Sequence, residues 1–137
     1  MTQLKSILLV EDNPDDEALT LRALRRNNLK NEIIVARNGQ EALDVLSEIA
    51  VLPCVVLLDL KLPKIPGLEV LRRIRAHERW RVLPVVLLTS SKEERDIAEG
   101  YGLGANSYVC KPVDFQQFTT AVSQLGLYWA VINEPAP

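Results

Sequence analysis

Five side chains of the kind that handle phosphate and divalent metal each sit at the end of an apolar run. Glu11 and Asp12 follow Ser6-Ile7-Leu8-Leu9-Val10, and Asp59 closes Val55-Val56-Leu57-Leu58. Thr89 closes Val85-Val86-Leu87-Leu88, and Lys111 follows Ser107-Tyr108-Val109-Cys110. Three carboxylates drawn together repel one another, and hydrogen bonds alone rarely offset that. A hard divalent cation resolves the repulsion: Mg²⁺ takes a few carboxylate oxygens together with waters and phosphate oxygens. No His or Cys adjoins the acids, which disfavours zinc and copper. Lys111 is a mobile point charge able to pair with Asp59 at rest and with phosphate oxygens later. Thr89 adds a hydroxyl donor. A carboxylate surrounded by metal, ammonium and hydroxyl suits phosphoryl transfer to Asp59, with that carboxylate as the nucleophile.

This chemistry requires the five groups to meet, so the elements carrying them matter. The central run, 55–58, does not alternate, which reads as a strand covered on both faces. The runs 6–10, 85–89 and 107–110 are similar, and Glu32-Ile33-Ile34-Val35 makes a short second strand. Helix signals separate them. Asn13 caps a helix with Pro14 in its first position and acids in its first turn, running to about Asn28. Asn38 with Glu41 forms a capping box before Ala42, Val45, Leu46 and Ile49. After Asp59 the segment 60–67 is a loop with two prolines and a glycine, and Leu68, Val70, Leu71 and Ile74 mark the third helix.

Ser91 with Glu94 starts a fourth helix that has few apolar anchors, namely Ile97, Ala98 and Tyr101. Gly100, Gly102 and Gly104 crowd its end, so it is expected to be mobile. Asp114 with Gln117 caps a last helix carrying Phe115, Phe118, Val122 and Leu125. Five β-α units in alternation predict an α/β fold, a doubly wound parallel sheet with right-handed crossovers and helices on both faces. Parallel strands share one carboxyl edge, where ligands bind in such sheets. Each polar group could end its strand separately in solvent, but four strands ending this way argue for one cleft.

Size and composition agree. The 137 residues are 47% hydrophobic with a net charge of −2, which suits one domain spanning 1–137, with a core at about 4–127 and a tail at about 128–137. No apolar run approaches the roughly 20 residues of a membrane span, and residues 1–6 have no secretory character. A cytoplasmic location is expected. There is no basic footprint for direct nucleic-acid binding. Cys54 and Cys110, with no CxxC or metal spacing, read as buried thiols. His77 and Trp80 close the third helix, His77 as a solvated surface group, so a donor histidine would have to come from a partner.

The residues Ile7-Leu8-Leu9-Val10-Glu11-Asp12, Leu57-Leu58-Asp59-Leu60 with Pro63 and Gly67, Leu87-Leu88-Thr89-Ser90 and Tyr108-Val109-Cys110-Lys111-Pro112 resemble the receiver domain of two-component response regulators along nearly the whole chain. The resemblance implies a flavodoxin-like (βα)5 fold with strand order 2-1-3-4-5. It implies that Asp59 accepts a phosphoryl group from a histidine kinase. It also implies that Glu11, Asp12, Asp59 and the backbone carbonyl of Lys61 hold Mg²⁺, and that the Lys111-Pro112 peptide is cis. Lys61 stands where the family often has Met or Asn.

Within that family the chain reads as a single-domain regulator. Glu11 to Asp15, the run Lys111-Pro112-Val113-Asp114-Phe115 and Tyr128-Trp129 resemble the small regulators of cyanobacterial phytochrome histidine kinases. The resemblance further implies a switch in which Thr89 moves toward the phosphoryl group and Tyr108 turns inward. The output face would be the fourth helix, fifth strand and fifth helix, with a homodimer contact that includes Tyr128 and Trp129. The chain would be a signalling protein and not an enzyme, with at most self-phosphorylation and autodephosphorylation. One rival, a haloacid-dehalogenase-type phosphatase, wants a second carboxylate at position 61. Another, a pseudo-receiver that only binds partners, would have lost part of the acid pair or Lys111. A flavin carrier of the same topology would need a phosphate-cradling loop after the first strand.

Overall fold

A computed structural model describes residues 5–25, 29–102 and 104–124. The unalternated apolar runs are strands: β1 (Ile7–Val10), β2 (Ile33–Ala36), β3 (Val55–Asp59), β4 (Val85–Thr89) and β5 (Ser107–Cys110). Between and after them lie α1 (Pro14–Arg25), α2 (Gly39–Glu48), α3 (Gly67–Ala76), α4 (Lys92–Tyr101) and α5 (Phe115–Gln124). All strand pairs are parallel, in the order β2-β1-β3-β4-β5. This is the flavodoxin-like order that the resemblance implied.

The side-chain period of two splits the apolar strand residues between two cores. Leu8, Val10, Val56, Leu58, Val85 and Leu87 face one side, where they meet Ala42 and Leu46 of α2, Val70, Leu71 and Ile74 of α3, and Ala98 of α4. Ile7, Leu9, Val55, Leu57, Val86 and Leu88 face the other, against Leu24 of α1 and Phe118, Ala121 and Val122 of α5. β1, β3 and β4 are buried at every position, as strands covered on both faces must be.

The helix starts are where the local chemistry puts them. Asn13 Oδ1 accepts from the amides of Asp15 at 2.8 Å and Asp16 at 3.1 Å. Asn38 Oδ1 accepts from Glu41 N at 2.9 Å, while the Glu41 carboxylate reaches back to the Arg37 amide and the Asn38 side chain. Ser91 Oγ and Asp114 Oδ1 cap α4 and α5 through the amides of Glu94 and Gln117.

Two details depart from the sequence reading. Cys54 is buried, and burial pushes its thiol up to about 11, but Cys110 is exposed. β5 is an edge strand with one neighbour, so its last residue opens to solvent. Ile97, expected on the buried face of α4, is 58% exposed while Ala98 is buried. Successive helical residues lie about 100° apart, and Ala98 takes the inner position. The tail from residue 125, with Leu125, Tyr128 and Trp129, and the side chain of Tyr101 lie outside the described residues. His77 is exposed as expected, stacked on the buried Trp80 with centroids 3.6 Å apart.

Candidate metal and phosphoryl-acceptor site

The shared carboxyl edge of β1, β3, β4 and β5 assembles the five groups singled out by type and spacing. Glu11 lies just past β1, its amide bonded to the Ala36 carbonyl of β2. Asp59 is the last residue of β3, in register with Leu88, which places Thr89 one residue further along the same edge. The Lys111 amide donates to the Thr89 carbonyl at 2.7 Å, so β5 delivers Lys111 beside β4. The Lys111-Pro112 peptide is cis.

Glu11 and Asp59 are buried, at 0% and 2% exposure, while Asp12 is open to solvent. One carboxylate oxygen from each of Glu11, Asp12 and Asp59 lies within 4.8 Å of the other two. Opposite ligands of an octahedral Mg²⁺ stand about 4.2 Å apart at Mg–O distances of about 2.1 Å. A small inward movement therefore brings this trio to a metal.

Lys111 Nζ occupies the middle of the acids, 2.9 Å from Asp59 Oδ2, 3.1 Å from Asp16 Oδ2 and 3.3 Å from Glu11 Oε1. Burial alone lowers the basicity of this ammonium, but the hydrogen bonds to Asp59 and Asp16 and the charges of Asp59 and Glu11 outweigh it, and the net shift is upward. Glu11 also moves upward, which for a carboxyl favours the neutral form. Burial first, then the hydrogen bond and charge of Asp59, push it up to about 8, against the Lys111 charge and the Asn13 amide. Glu11 and Asp59 are held so close, and so dry, that one lysine does not pay for both charges. A divalent cation would, and the all-oxygen donor set suits a hard one.

The Lys61 amide donates to Asp59 Oδ1 at 3.1 Å, fixing the loop after β3 to the Asp59 carboxylate. The Lys61 ammonium pairs with Glu94 of α4 at 3.5 Å, so this cation stands at the cleft mouth and is tied to the fourth helix. Gly67 explains how α3 can start so near: a Cβ there would lie 2.8 Å from Leu60 Cα, against the backbone that carries Asp59. Thr89 is buried, and with half-buried Tyr108 it lines a cavity of about 160 Å³ shared with Ser91, Lys92, Arg95 and Cys110. The Arg95 guanidinium lies 5.2 Å from the Tyr108 ring centroid. A larger cavity of about 640 Å³ opens between β5 and α5, lined by Tyr108, Asp114, Gln117, Thr120 and others.

The residue that sequence reasoning missed is Asp16. The sequence marks it only as one of the first-turn acids of α1 favoured by the helix dipole, yet its side chain reaches Lys111, 95 residues away. The available signal was positional: α1 starts four residues after β1, so the first-turn acids of α1 lie beside the same edge.

The sequence profile of the response regulator receiver domain matches residues 7–123. The chain belongs to the response regulator receiver family. Its curated relatives include the probable methanogenesis regulatory protein FilR2 of Methanothrix harundinacea, 41% identical over 96% of this chain and 88% of that protein. Response regulator Rcp1 of Synechocystis sp. is 35% identical over 91% of this chain and 88% of its own length. Among solved receiver structures, the bacteriophytochrome response regulator AtBRR is 51% identical with a TM-score of 0.91, covering 97% of this chain and all of that one.

The phosphorylated cyanobacterial phytochrome response regulator RcpA superposes with a TM-score of 0.74 at 36% identity, over 93% of this chain and 94% of its own. The Mn²⁺-bound form of Rcp1 does so with a TM-score of 0.72 at 33% identity, over 97% and 99%. The likeness to phytochrome response regulators thus extends from cyanobacterial members to a bacteriophytochrome one. Among the described residues, no helix is long and apolar enough to cross a membrane.

Proposed function

We propose that this receiver domain is a phosphoacceptor in two-component signalling, taking a phosphoryl group on Asp59 from the phosphohistidine of a phytochrome-type histidine kinase. The observation that carries the reading is the meeting of Glu11, Asp12, Asp59 and Lys111 at one strand edge. A phosphorylated RcpA and an Mn²⁺-bound Rcp1 support it by likeness.

In the proposed step, an Asp59 carboxylate oxygen forms a bond to phosphorus as the P–N bond of the phosphohistidine breaks. The imidazole leaves with the electron pair and takes a proton. Glu11, Asp12, Asp59 and the backbone carbonyl of Lys61 would hold Mg²⁺, which when bound would neutralise charge on the transferring group. Lys111 turns from the Asp59 carboxylate toward the phosphoryl oxygens, and the Thr89 hydroxyl donates to another of them. Thr89 moves toward the phosphoryl group, and Tyr108 fills the space it leaves in the cavity they share. α4 is the bistable element, and its face with β5 and α5 is the output and homodimer surface. The domain is a substrate of its kinase and not an enzyme acting on other molecules.

The test is incubation with acetyl phosphate and Mg²⁺ followed by intact-mass measurement. One added phosphoryl group is expected, absent without metal and absent in Asp59→Asn. Labelling that persists in Asp59→Asn rejects the acceptor. Sedimentation of the labelled and unlabelled protein tests the dimer.

A further inference from the structure

Lys111 presents three N–H donors, and each has its own carboxylate: Asp59 at 2.9 Å, Asp16 at 3.1 Å and Glu11 at 3.3 Å. The three acceptors are not equivalent. Asp59 and Glu11 belong to the trio spaced for a cation, and the Asp59 carboxylate gives up its own charge when it is phosphorylated. Asp16 stands outside that trio. It comes from α1, where the Asn13 side chain fixes its amide at 3.1 Å, and its side chain is about one-third exposed.

We infer that Asp16 is a positioning residue for phosphoryl transfer: it anchors the Lys111 ammonium at the strand edge while the other two carboxylates are taken up by metal and by phosphorus. The inference rests on Asp59 being the acceptor. A lysine on a flexible four-carbon stem loses much side-chain entropy when it is held in one place. Without a permanent partner, Lys111 would have to be recaptured as charge moves from Asp59 to the phosphoryl oxygens. With Asp16 in place, it pivots on one fixed hydrogen bond. In the transfer from acetyl phosphate, the Asp59 oxygen–phosphorus bond forms as the phosphorus–oxygen bond to acetate breaks. Acetate leaves with that electron pair, and no proton passes through Asp16.

The experiment follows label uptake by intact mass over a range of acetyl phosphate concentrations at saturating Mg²⁺, in wild type, Asp16→Asn, Asp16→Glu, Lys111→Ala and the Asp16→Asn/Lys111→Ala double variant. Asp16→Asn is expected to lower the maximal rate about three- to tenfold, the range of a partly exposed charge-assisted hydrogen bond. The half-saturating donor concentration and the Mg²⁺ affinity should each change less than twofold. Asp16→Glu, which keeps a carboxylate, should recover part of the loss.

In the Lys111→Ala background, Asp16→Asn should cost nothing further. The same cycle read by thermal unfolding of the metal-free proteins should also show that the Asp16→Asn shift disappears once Lys111 is gone. An Asp16→Asn rate equal to or above wild type overturns the inference, as does an undiminished loss in the Lys111→Ala background. A Mg²⁺ affinity that falls as far as the rate also overturns it. A wild type that takes no label at all removes the acceptor reading, and this inference with it, whereas the outcomes above remove the inference alone.

Discussion

At the residue scale, the site is governed by too much negative charge in too little water. Glu11 shows it most clearly, with its carboxyl pushed from the ordinary 4.5 up to about 8 by burial and by Asp59. Between those values the folded metal-free protein holds a proton that the unfolded chain has released. Stability linked to this group is therefore fully present below 4.5 and is lost as pH climbs through 8. Urea unfolding of the metal-free protein should show a lower midpoint at about pH 8.5 than at about pH 6, and Glu11→Gln should flatten that dependence. Mg²⁺ binding must displace the proton, so its affinity, measured by calorimetry, should rise over the same window. The two thiols differ for a related reason. Cys54 is buried with its thiol raised to about 11 while Cys110 is exposed, so iodoacetamide should alkylate Cys110 and spare Cys54 in the native protein.

At the element scale, close approach and shared hydrogen bonds keep helices against the edge that carries the chemistry. α3 begins so near the end of β3 that Gly67→Ala would drive a Cβ into the backbone at Asp59 and Leu60. Such overpacking costs about 1–3 kcal/mol, and here the displacement falls on the backbone of Asp59, the proposed acceptor. Gly67→Ala should therefore lower both the urea midpoint and the rate of label uptake. At the opposite edge of the sheet, Arg75 of α3 donates to the carbonyls of Arg81, Leu83 and Gly104 and to Asn106 Oδ1, at 2.7–3.1 Å. Asn106 Oδ1 also accepts the Val85 amide. One guanidinium thus joins the end of α3 to the start of β4 and to the loop entering β5. Arg75→Met should cost about 2 kcal/mol in urea unfolding. Hydrogen exchange should quicken first around Gly104–Asn106, on the connection that follows α4.

At the scale of the whole molecule, a five-stranded parallel sheet with a core on each face makes the site possible. Leu57 and Leu58 are neighbours in sequence, yet they sit in opposite cores at 1% and 0% exposure. Either residue changed to Ala should destabilise the domain by about 2–5 kcal/mol, read by thermal or urea unfolding. Neither the α1–α5 face nor the α2–α4 face is dispensable, because each buries its own set of strand residues. The sheet also sets the reach of the site, since β1, β3 and β5 bring together Glu11, Asp59 and Lys111 from positions up to 100 residues apart.

The sequence by itself determined the α/β class, the carboxyl ends of β1, β3, β4 and β5 and the residues at them, while β2 runs one residue further than its apolar run suggested. Unalternated apolar runs this short, bounded by caps and turn residues, read as strands covered twice, and parallel strands must share a carboxyl edge whatever the details of packing. The capping signals at Asn13, Asn38, Ser91 and Asp114 were equally legible, because a cap is a contact within a few residues. Tertiary structure alone decided that Asp16 would reach Lys111, that Lys61 would pair with Glu94, and that Arg75 would gather four acceptors. It also decided that Ile97 and Cys110 would face solvent. Each of these depends on how far a helix is rotated and slid against the sheet, or on which strand lies at an edge. Those choices are made by packing between distant segments, and no local period or cap encodes them.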